Sequence, residues 1–340
     1  MNGGYNTVMT TLHPYSTNVR VTPPLDVATN GLFNTTSREA TNVPARTNNY
    51  NTPIYTNAAN ARVMNAAIAT AKVKSNGPTS KAIICCFQYK YANDYDDLRK
   101  KNVITDLDKY IFFCNKKLGI GKQNIVILSD IDGLHTSYDN VIMVNSTAQF
   151  EVHLKSQLLL LANDGFLFFA FSGHGESLSK ICHFVIPTGT GRSQFISGAR
   201  VQQLLYYNLP PVCTCLIVLD TCYSGGLLSL KYKIGKNIQM NKDYIDMGPQ
   251  RNIICFHSSG SKELSAVFYR SSESGSIFSH YLLLYILYIG TGTAAANTAV
   301  HVPHCLNYVT DQISKQVKGI QPIHHPFVQS SHPTLTMFEP

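Results

Sequence analysis

No stretch of this 340-residue sequence stays apolar for the roughly 18–20 residues that a membrane-spanning helix requires, and the most apolar segment covers only 281–289. The N-terminus has neither a charged start nor an apolar block, so no secretory signal is predicted. Charged residues make up only 14% of the chain, which excludes a coiled coil and a wholly disordered protein. The sequence therefore predicts a cytoplasmic protein without a membrane partner.

The numbers of cysteines and charged residues indicate the compartment of the protein and the kinds of partner that it binds. Nine cysteines without a secretory signal indicate a reducing compartment and free thiols, since an odd number cannot all pair internally. The formal net charge is +8, but the basic residues form no run of the kind that nucleic-acid binders place on one face or helix. Binding to nucleic acid is therefore not predicted.

The first part of the chain differs from the rest in amino-acid composition and in hydrophobic periodicity. Residues 1–78 are rich in Asn, Thr and Pro, and the first sixty positions show neither a helical nor a strand period. Such a segment buries too little apolar surface to offset its chain entropy, so we predict a disordered, pro-segment-like tail. Within it, Asn57–Val73 contains enough alanine for a transient helix.

From Lys81 onward, short apolar runs alternate with segments of helical spacing. The predicted strands are 82–87, 124–129, 166–171, 182–186, 214–219 and 252–256, and the predicted helices are 106–117, 147–161, 198–207, 276–289 and about 302–317. This alternation predicts an α/β fold: a mostly parallel sheet flanked by helices on both faces. A basic polar linker at 231–250, with Lys231, Lys233, Lys236 and Lys242, separates a larger region at 79–230 from a smaller one at 251–340.

Two predicted strands end in polar sequences that contain glycine. One continues into Ser-Gly-His-Gly at 172–175, and the other into Asp-Thr-Cys-Tyr-Ser-Gly at 220–225. In an open α/β sheet, functional groups collect beyond the carboxyl ends of the strands. A cysteine thiolate can attack an acyl carbon, and a nearby imidazole can raise the thiolate fraction and protonate the leaving amine. His174 and Cys222 are therefore predicted to be catalytic, and the glycines beside His174 predict a sharp turn.

These two blocks resemble the catalytic blocks of the metacaspases and their caspase relatives, usually Ser-Gly-His-Gly and Asp-x-Cys-x-Ser-Gly. Gly-Ser-Ile-Phe at 275–278 is similar to the family's Gly-Ala-Phe-Thr segment, and Gln-Pro at 321–322 is similar to a motif before its last strand. The resemblance covers about residues 80–330. It implies a caspase-like fold with large- and small-subunit regions, a monomeric protein and endopeptidase activity.

The resemblance also implies roles for individual residues. Cys222 would be the nucleophile and His174 the general acid/base, and the backbone amides of Gly175 and Cys222 would form the oxyanion hole. The substrates would be proteins or peptides cleaved after Arg or Lys, with three residues lining the pocket for that side chain: Asp220, Asp106 and Ser172. Asp106 stands in Val-Ile-Thr-Asp-Leu at 103–107, where the family usually has Cys-x-Asn-Asp-Val.

Calcium is a point of departure from the family. Many metacaspases carry an acidic cluster after the histidine block and need calcium, whereas no Asp or Glu occurs here from Ser177 to Pro211. Calcium prefers several carboxylate or carbonyl oxygens. We therefore expect no metal site and no required cofactor. The densest acidic group, Asp94, Asp96 and Asp97, lies in an early loop.

The residues leave several alternatives open. Asp220 is either a pocket residue or a cap of the Cys222 turn, and Asp106 is either a pocket residue or part of the N-cap of its helix. The lysines of 231–250 are either a solvated loop or self-cleavage sites. The rival functions are an inactive caspase-fold interaction module and an Asp-specific caspase-like protease, although both catalytic residues are present and no arginine stands beside the acids.

Overall fold

The computed structural model describes residues 78–95, 98, 100–189, 191–235, 237–244, 246–247, 251–265, 267–269, 274–289, 300–316, 325–333 and 336–337. The predicted tail and its helix at Asn57–Val73 lie outside the described residues, apart from residue 78. So do Asp96, Asp97, Lys236 and the Gln-Pro motif at 321–322. Across the described ranges, no helix combines the length and apolar character needed to cross a membrane.

A nine-stranded sheet forms the centre of the protein. Six parallel strands lie in the order β3-β2-β1-β4-β8-β11, with bounds Val141–Met143, Ile125–Ser129, Ser80–Cys86, Phe166–Ser172, Thr214–Asp220 and Asn252–His257. Three antiparallel strands continue the sheet beyond β11 in the order β15-β9-β10, with bounds Phe327–Ser330, Tyr232–Ile234 and Ile238–Met240. The prediction of a mostly parallel sheet is confirmed.

Five helices cover the two faces of this sheet. On one face lie α1 (Lys100–Lys116), α4 (Ile277–Leu284) and α5 (Val302–Gln316). On the other lie α2 (Thr147–Leu159) and α3 (Gly198–Asn208). Side chains of the central strands alternate between the two resulting cores: Ile84 and Ala170 face the first, and Ile83 and Phe169 face the second. Burial on both faces explains why these strands read as continuous apolar runs.

Three small sheets complete the described structure. The strands β5 (Gly175–Leu178), β6 (Ile181–Ile186) and β7 (Gln194–Ser197) form an antiparallel sheet directly after the His174 block. Two pairs lie elsewhere, formed by β12 (Val267–Tyr269) with β13 (Ser274–Ser276) and by β14 (Val300–His301) with β16 (Thr336–Met337). Of these strands, β6 confirms the strand predicted at 182–186, whereas the others are only two to four residues long and were not predicted.

Three segments differ from their predictions. The helix predicted at 106–117 is α1, which begins six residues earlier, at Lys100. The segment predicted to be a polar linker contains β9 and β10, which extend the main sheet because Ile234 is buried while Lys233 beside it is exposed. The long helix predicted at 276–289 is α-helical only to Leu284 and continues as one π-helical segment, Tyr285–Ile289.

Candidate active site

The two polar blocks lie side by side because β4 and β8 are neighbours in the sheet. Ser172 at the end of β4 is paired with Asp220 at the end of β8, and the Gly173 N–H donates to the Asp220 carbonyl at 3.4 Å. Each block then continues by two residues, to His174 and to Cys222. The structure therefore brings the two predicted catalytic residues to the same edge of the sheet.

The glycines beside His174 allow close packing as well as a turn of the backbone. Neither has a positive φ, but the chain bends at Gly173 directly after β4, which confirms the expected turn. A Cβ on Gly175 would lie 2.2 Å from the Cys222 carbonyl oxygen, and one on Gly173 would lie 2.6 Å from the Tyr89 hydroxyl. Both distances are too short for a side chain, so glycine is required at 175, where the two blocks meet, and at 173, where the His174 block meets Tyr89.

Tyr89 fixes the position of His174 and was missed by the sequence analysis. Its buried hydroxyl accepts a hydrogen bond from the His174 N–H at 2.9 Å and donates to the Val185 carbonyl at 2.8 Å. Its ring lies 4.5 Å from the His174 ring, centroid to centroid. The sequence does contain a signal for this role, because Tyr89 follows the apolar run of β1 and so lies at the same edge of the sheet as the two blocks.

The backbone around Tyr89 is held in place by a carboxylate from the next strand. Tyr89 has a φ of 63°, which is uncommon for a residue with a side chain. Asp130, just after β2, accepts the N–H of Gln88 at 2.6 Å and that of Tyr89 at 2.7 Å. These two charge-assisted hydrogen bonds stabilise the conformation that places the Tyr89 hydroxyl against His174.

The Cys222 thiol is buried, with 5% of the residue exposed. The Ser265 N–H points at its sulfur at a distance of 3.4 Å. Burial raises the pKa of Cys222 to about 11; the Ser265 N–H opposes this shift, while the charges of Asp220 and Glu176 add to it. At neutral pH the resting group is therefore a thiol, and a base must remove its proton before it can attack.

The turn after Cys222 is built by a serine-rich loop that follows β11. Tyr223 has a φ of 57°, and its N–H donates to the Glu263 carbonyl at 2.8 Å. The Ser224 hydroxyl donates to the Ser259 carbonyl at 3.0 Å, and the Ser258 hydroxyl donates to the Thr221 carbonyl at 3.2 Å. Strained turns of this kind persist only where surrounding contacts over-determine them, as they do here.

A narrow cavity of about 30 Å³ opens beside Cys222. Its lining includes all three predicted pocket residues, Asp106, Ser172 and Asp220, together with Cys222 itself. It has no Lys or Arg among its lining residues, which are Leu98, Asn102, Val103, Asp106, Ser172, Gly173, Asp220, Thr221, Cys222, Ser265 and Ser276. Two buried carboxylates thus share one small space next to the thiol.

The Asp220 carboxylate points into this cavity instead of capping the Cys222 turn. It accepts the hydroxyl of Ser265 at 3.1 Å and that of Ser279 at a shorter distance. Burial raises its pKa, against the opposing hydrogen bonds of Ser276, Ser279 and Ser265. Ser279 lies on α4, Ser276 ends β13 and Ser265 lies between β11 and β12, so the later part of the chain completes the surroundings of Asp220.

Asp106 lies in the second turn of α1, because this helix begins six residues earlier, at Lys100. It is therefore not an N-cap residue. Its carboxylate accepts the Ser276 N–H at 2.9 Å and lies 3.6 Å from the Lys109 ammonium. Burial raises the pKa of Asp106 to about 7; Lys109 lowers it, and the nearby Asp220 charge raises it.

Gly275 allows the backbone before α4 to reach this carboxylate. It has a φ of 97°, and a Cβ at this position would lie 2.2 Å from an Asp106 carboxylate oxygen. The Gly-Ser pair at 275–276, noted in the sequence for its resemblance to a family segment, is thus required for contact with Asp106. The pocket partners Lys109, Ser265 and Ser279 were not predicted, since nothing in their local sequence distinguishes them from other lysines and serines of the chain.

A scan against protein-family models matches residues 146–337 to the Caspase domain. The chain belongs to this family. The match covers both polar blocks and more than half of the sequence. Members of the caspase-domain family are cysteine peptidases, and the fold supports a caspase-family protease.

Comparison with solved structures returns proteins of low sequence identity. Caspase-1 from Spodoptera frugiperda is 14% identical, with a TM-score of 0.45 over 74% of this chain and 86% of that one. The Drosophila initiator caspase Dronc is 7% identical, with a TM-score of 0.43 over 77% of this chain and 84% of that one. No curated protein matches the chain significantly.

Proposed function

We propose that this caspase-domain protein is a cysteine endopeptidase of the metacaspase type, which cleaves peptide bonds after Arg or Lys. In this proposal the imidazole of His174 takes the proton of the Cys222 thiol, and the thiolate attacks the carbonyl carbon of the scissile bond. The backbone amides of Gly175 and Cys222 stabilise the oxyanion, and His174 then returns the proton to the leaving amine.

The observation that supports this specificity is the placement of Asp106 and Asp220 in one cavity beside Cys222. Two buried carboxylates next to each other disfavour their charged forms, and Lys109 compensates for only one negative charge. A guanidinium or ammonium group entering the cavity would supply the missing positive charge. It would also take the place of serine hydroxyls that now donate to Asp220.

The two rival functions are less well supported. An Asp-specific protease would need cationic groups in the cavity, and the lining residues include none. An inactive interaction module has no need for a thiol, an imidazole and the glycines that let their two blocks approach each other.

Short fluorogenic peptides that differ only in the residue before the scissile bond test the proposal. We expect hydrolysis of the Arg and Lys peptides, with kcat/KM roughly 10²-fold or more above that of the Asp peptide. Citrulline, which has nearly the shape of Arg without its charge, serves as the matched control. Equal hydrolysis of the Arg and citrulline peptides would show that Asp106 and Asp220 do not recognise a positive charge. Preference for the Asp peptide would favour the Asp-specific caspase alternative.

The specificity for Arg should depend on pH through Asp106. Because its pKa is about 7 in the free protein, the carboxyl group loses its proton as pH rises through that value. The ratio of kcat/KM for Arg over citrulline peptides should therefore increase between about pH 6 and 8. Using a ratio cancels the titration of Cys222 and His174, which both substrates share. A flat ratio would exclude Asp106 as a titrating pocket anion.

Self-processing is expected at lysines of 231–250. Lys233 is exposed but lies within β9, whereas Lys242 lies in a turn that follows β10. A protease binds its substrate as an extended strand, so a lysine outside the sheet is the better site. We therefore expect cleavage after Lys242 before cleavage after Lys233. Mass spectrometry of the incubated wild type and of Cys222→Ala checks this, and identical intact masses would contradict it.

Activity is expected not to require calcium. The segment from Ser177 to Pro211, where an acidic cluster is found in many metacaspases, has no Asp or Glu. Asp94 is engaged in hydrogen bonds, since its carboxylate oxygens accept the Ser193 N–H at 2.9 and 3.1 Å. Rates with a chelator and with millimolar calcium should agree within about twofold. Loss of activity in the chelator, restored by calcium alone, would contradict the prediction.

A further inference from the structure

A cluster of aromatic rings beside His174 has no part in the proposed chemistry. The Tyr95 ring lies 5.1 Å from the His174 ring, and the Phe195 ring lies 6.3 Å from that of Tyr95. We call Tyr95 and Phe195 the aromatic platform. Neither residue lines the acidic cavity, so the platform is a separate surface that adjoins the same histidine.

The platform is both accessible and fixed in place. Phe195, in β7, has 39% of its surface exposed. The Tyr95 hydroxyl donates to the Glu176 carboxylate at 3.1 Å, and its ring also packs against Tyr89. A rigid aromatic surface offers apolar contact area at little cost in conformational entropy, which makes it suited to binding a side chain.

The chemistry of the reaction determines which part of a substrate meets the platform. The imidazole that protonates the leaving amine must lie within hydrogen-bond reach of that nitrogen. The residue after the scissile bond begins at this nitrogen, so it starts next to His174. In the proposed function, the side chain before the scissile bond occupies the acidic cavity beside Cys222, which Asp106 and Asp220 line. The two side chains therefore bind at different places.

We infer that Tyr95 and Phe195 form the binding site for the side chain that follows the scissile bond, and that this site takes aromatic or large aliphatic side chains. The inference rests on the proposed function, because it assumes that His174 protonates the leaving amine. The Glu176 carboxylate beside Tyr95 disfavours acidic side chains at the same position.

Two internally quenched peptides test the inference: both have Arg before the scissile bond, and the residue after it is Phe in one and Ser in the other. For the wild type we expect kcat/KM to be about tenfold higher for the Phe peptide. Phe195→Ser should bring this ratio close to one. Phe112→Ser is the matched control, since Phe112 is 42% exposed but lies on α1, and it should keep the wild-type ratio.

The same two peptides are also tested for binding to Cys222→Ala by fluorescence anisotropy, which needs no catalysis. Tighter binding of the Phe peptide, lost on adding Phe195→Ser, supports the aromatic site even if neither peptide is cleaved. In that case the proposed function fails, and Tyr95 and Phe195 stand as an aromatic binding site without the placement after the scissile bond. Cleavage of both peptides at equal rates, or equal affinity of both for Cys222→Ala, overturns the inference while leaving the proposed function intact.

Discussion

Cys222→Ala is expected to lower the cleavage of Arg and Lys peptides by roughly 10⁴-fold or more, as the loss of a protease nucleophile does elsewhere. The thiol is the attacking group in the proposed mechanism, and the other polar side chains that line the cavity are carboxylates, serine and threonine hydroxyls and one amide. None of these is activated by a neighbouring base in the way that His174 would activate the thiol. Rates of fluorogenic peptide hydrolysis measure the effect.

His174→Ala should be nearly as damaging, because nucleophile and base act as a unit. The substitution removes the ring contact with Tyr89 but keeps the hydrogen bond to the Tyr89 hydroxyl, which the His174 backbone N–H donates. Cys305→Ala is the control, since Cys305 is a buried thiol on α5, and it should keep its activity. Most of the activity surviving in purified, folded Cys222→Ala or His174→Ala would refute the assignment of the protein as a peptidase.

Asp220→Asn is expected to reduce kcat/KM for Arg and Lys peptides by a factor of tens to thousands, the usual cost of losing one partner of a buried charge pair. The amide has the shape of the carboxylate, and its oxygen can still accept a serine hydroxyl such as that of Ser265 or Ser279. The main change is therefore the loss of a negative charge where the substrate cation would bind. Hydrolysis of the citrulline peptide should change much less.

The reactivity of the thiol separates this effect from damage to the catalytic centre. The Asp220 charge contributes to the raised pKa of Cys222, so its removal should lower that pKa. Alkylation of Cys222 by a small reagent at neutral pH should then be as fast as in the wild type or faster. Asp108→Asn, which changes an exposed carboxylate on α1, is the control for specificity. Unchanged preference for Arg in Asp220→Asn would assign the role of the anion to Asp106 or another acid.

The sequence contained enough to predict the sheet and the edge at which the site lies. Strands buried on both faces, such as β4 and β8, leave a continuous apolar signal, and the polar blocks at their ends follow directly. The sequence did not reveal how residues distant along the chain meet. Ser276 contacts Asp106 across 170 residues, and Ser265 contacts Asp220 across 45, and such contacts depend on tertiary packing that no local pattern records.

Glycine was the residue type whose role changed most between sequence and structure. The Gly-His-Gly pattern predicts the turn that is found at Gly173. It does not predict that Gly175 is needed because the Cys222 carbonyl lies where its side chain would be. The sequence shows that glycine, which has no side chain, stands at a position. It does not show which residue of another strand would collide with a side chain there. The same limit explains why no strands are predicted at β9 and β10: β9 pairs with β15, almost a hundred positions away, and β10 pairs with β9.

The most direct test of the account is covalent labelling of the wild-type protein with matched peptidyl ketones that end in Arg, citrulline or Asp. Such reagents need both a reactive thiolate and a bound side chain, so one measurement examines the nucleophile and the pocket together. We expect the Arg reagent to give one adduct, located by mass spectrometry on Cys222, and to react roughly 10²-fold faster than the citrulline or Asp reagent. An adduct on any of the other eight cysteines would contradict the assignment of Cys222 as the nucleophile. Fastest labelling by the Asp reagent would contradict the proposed preference for Arg.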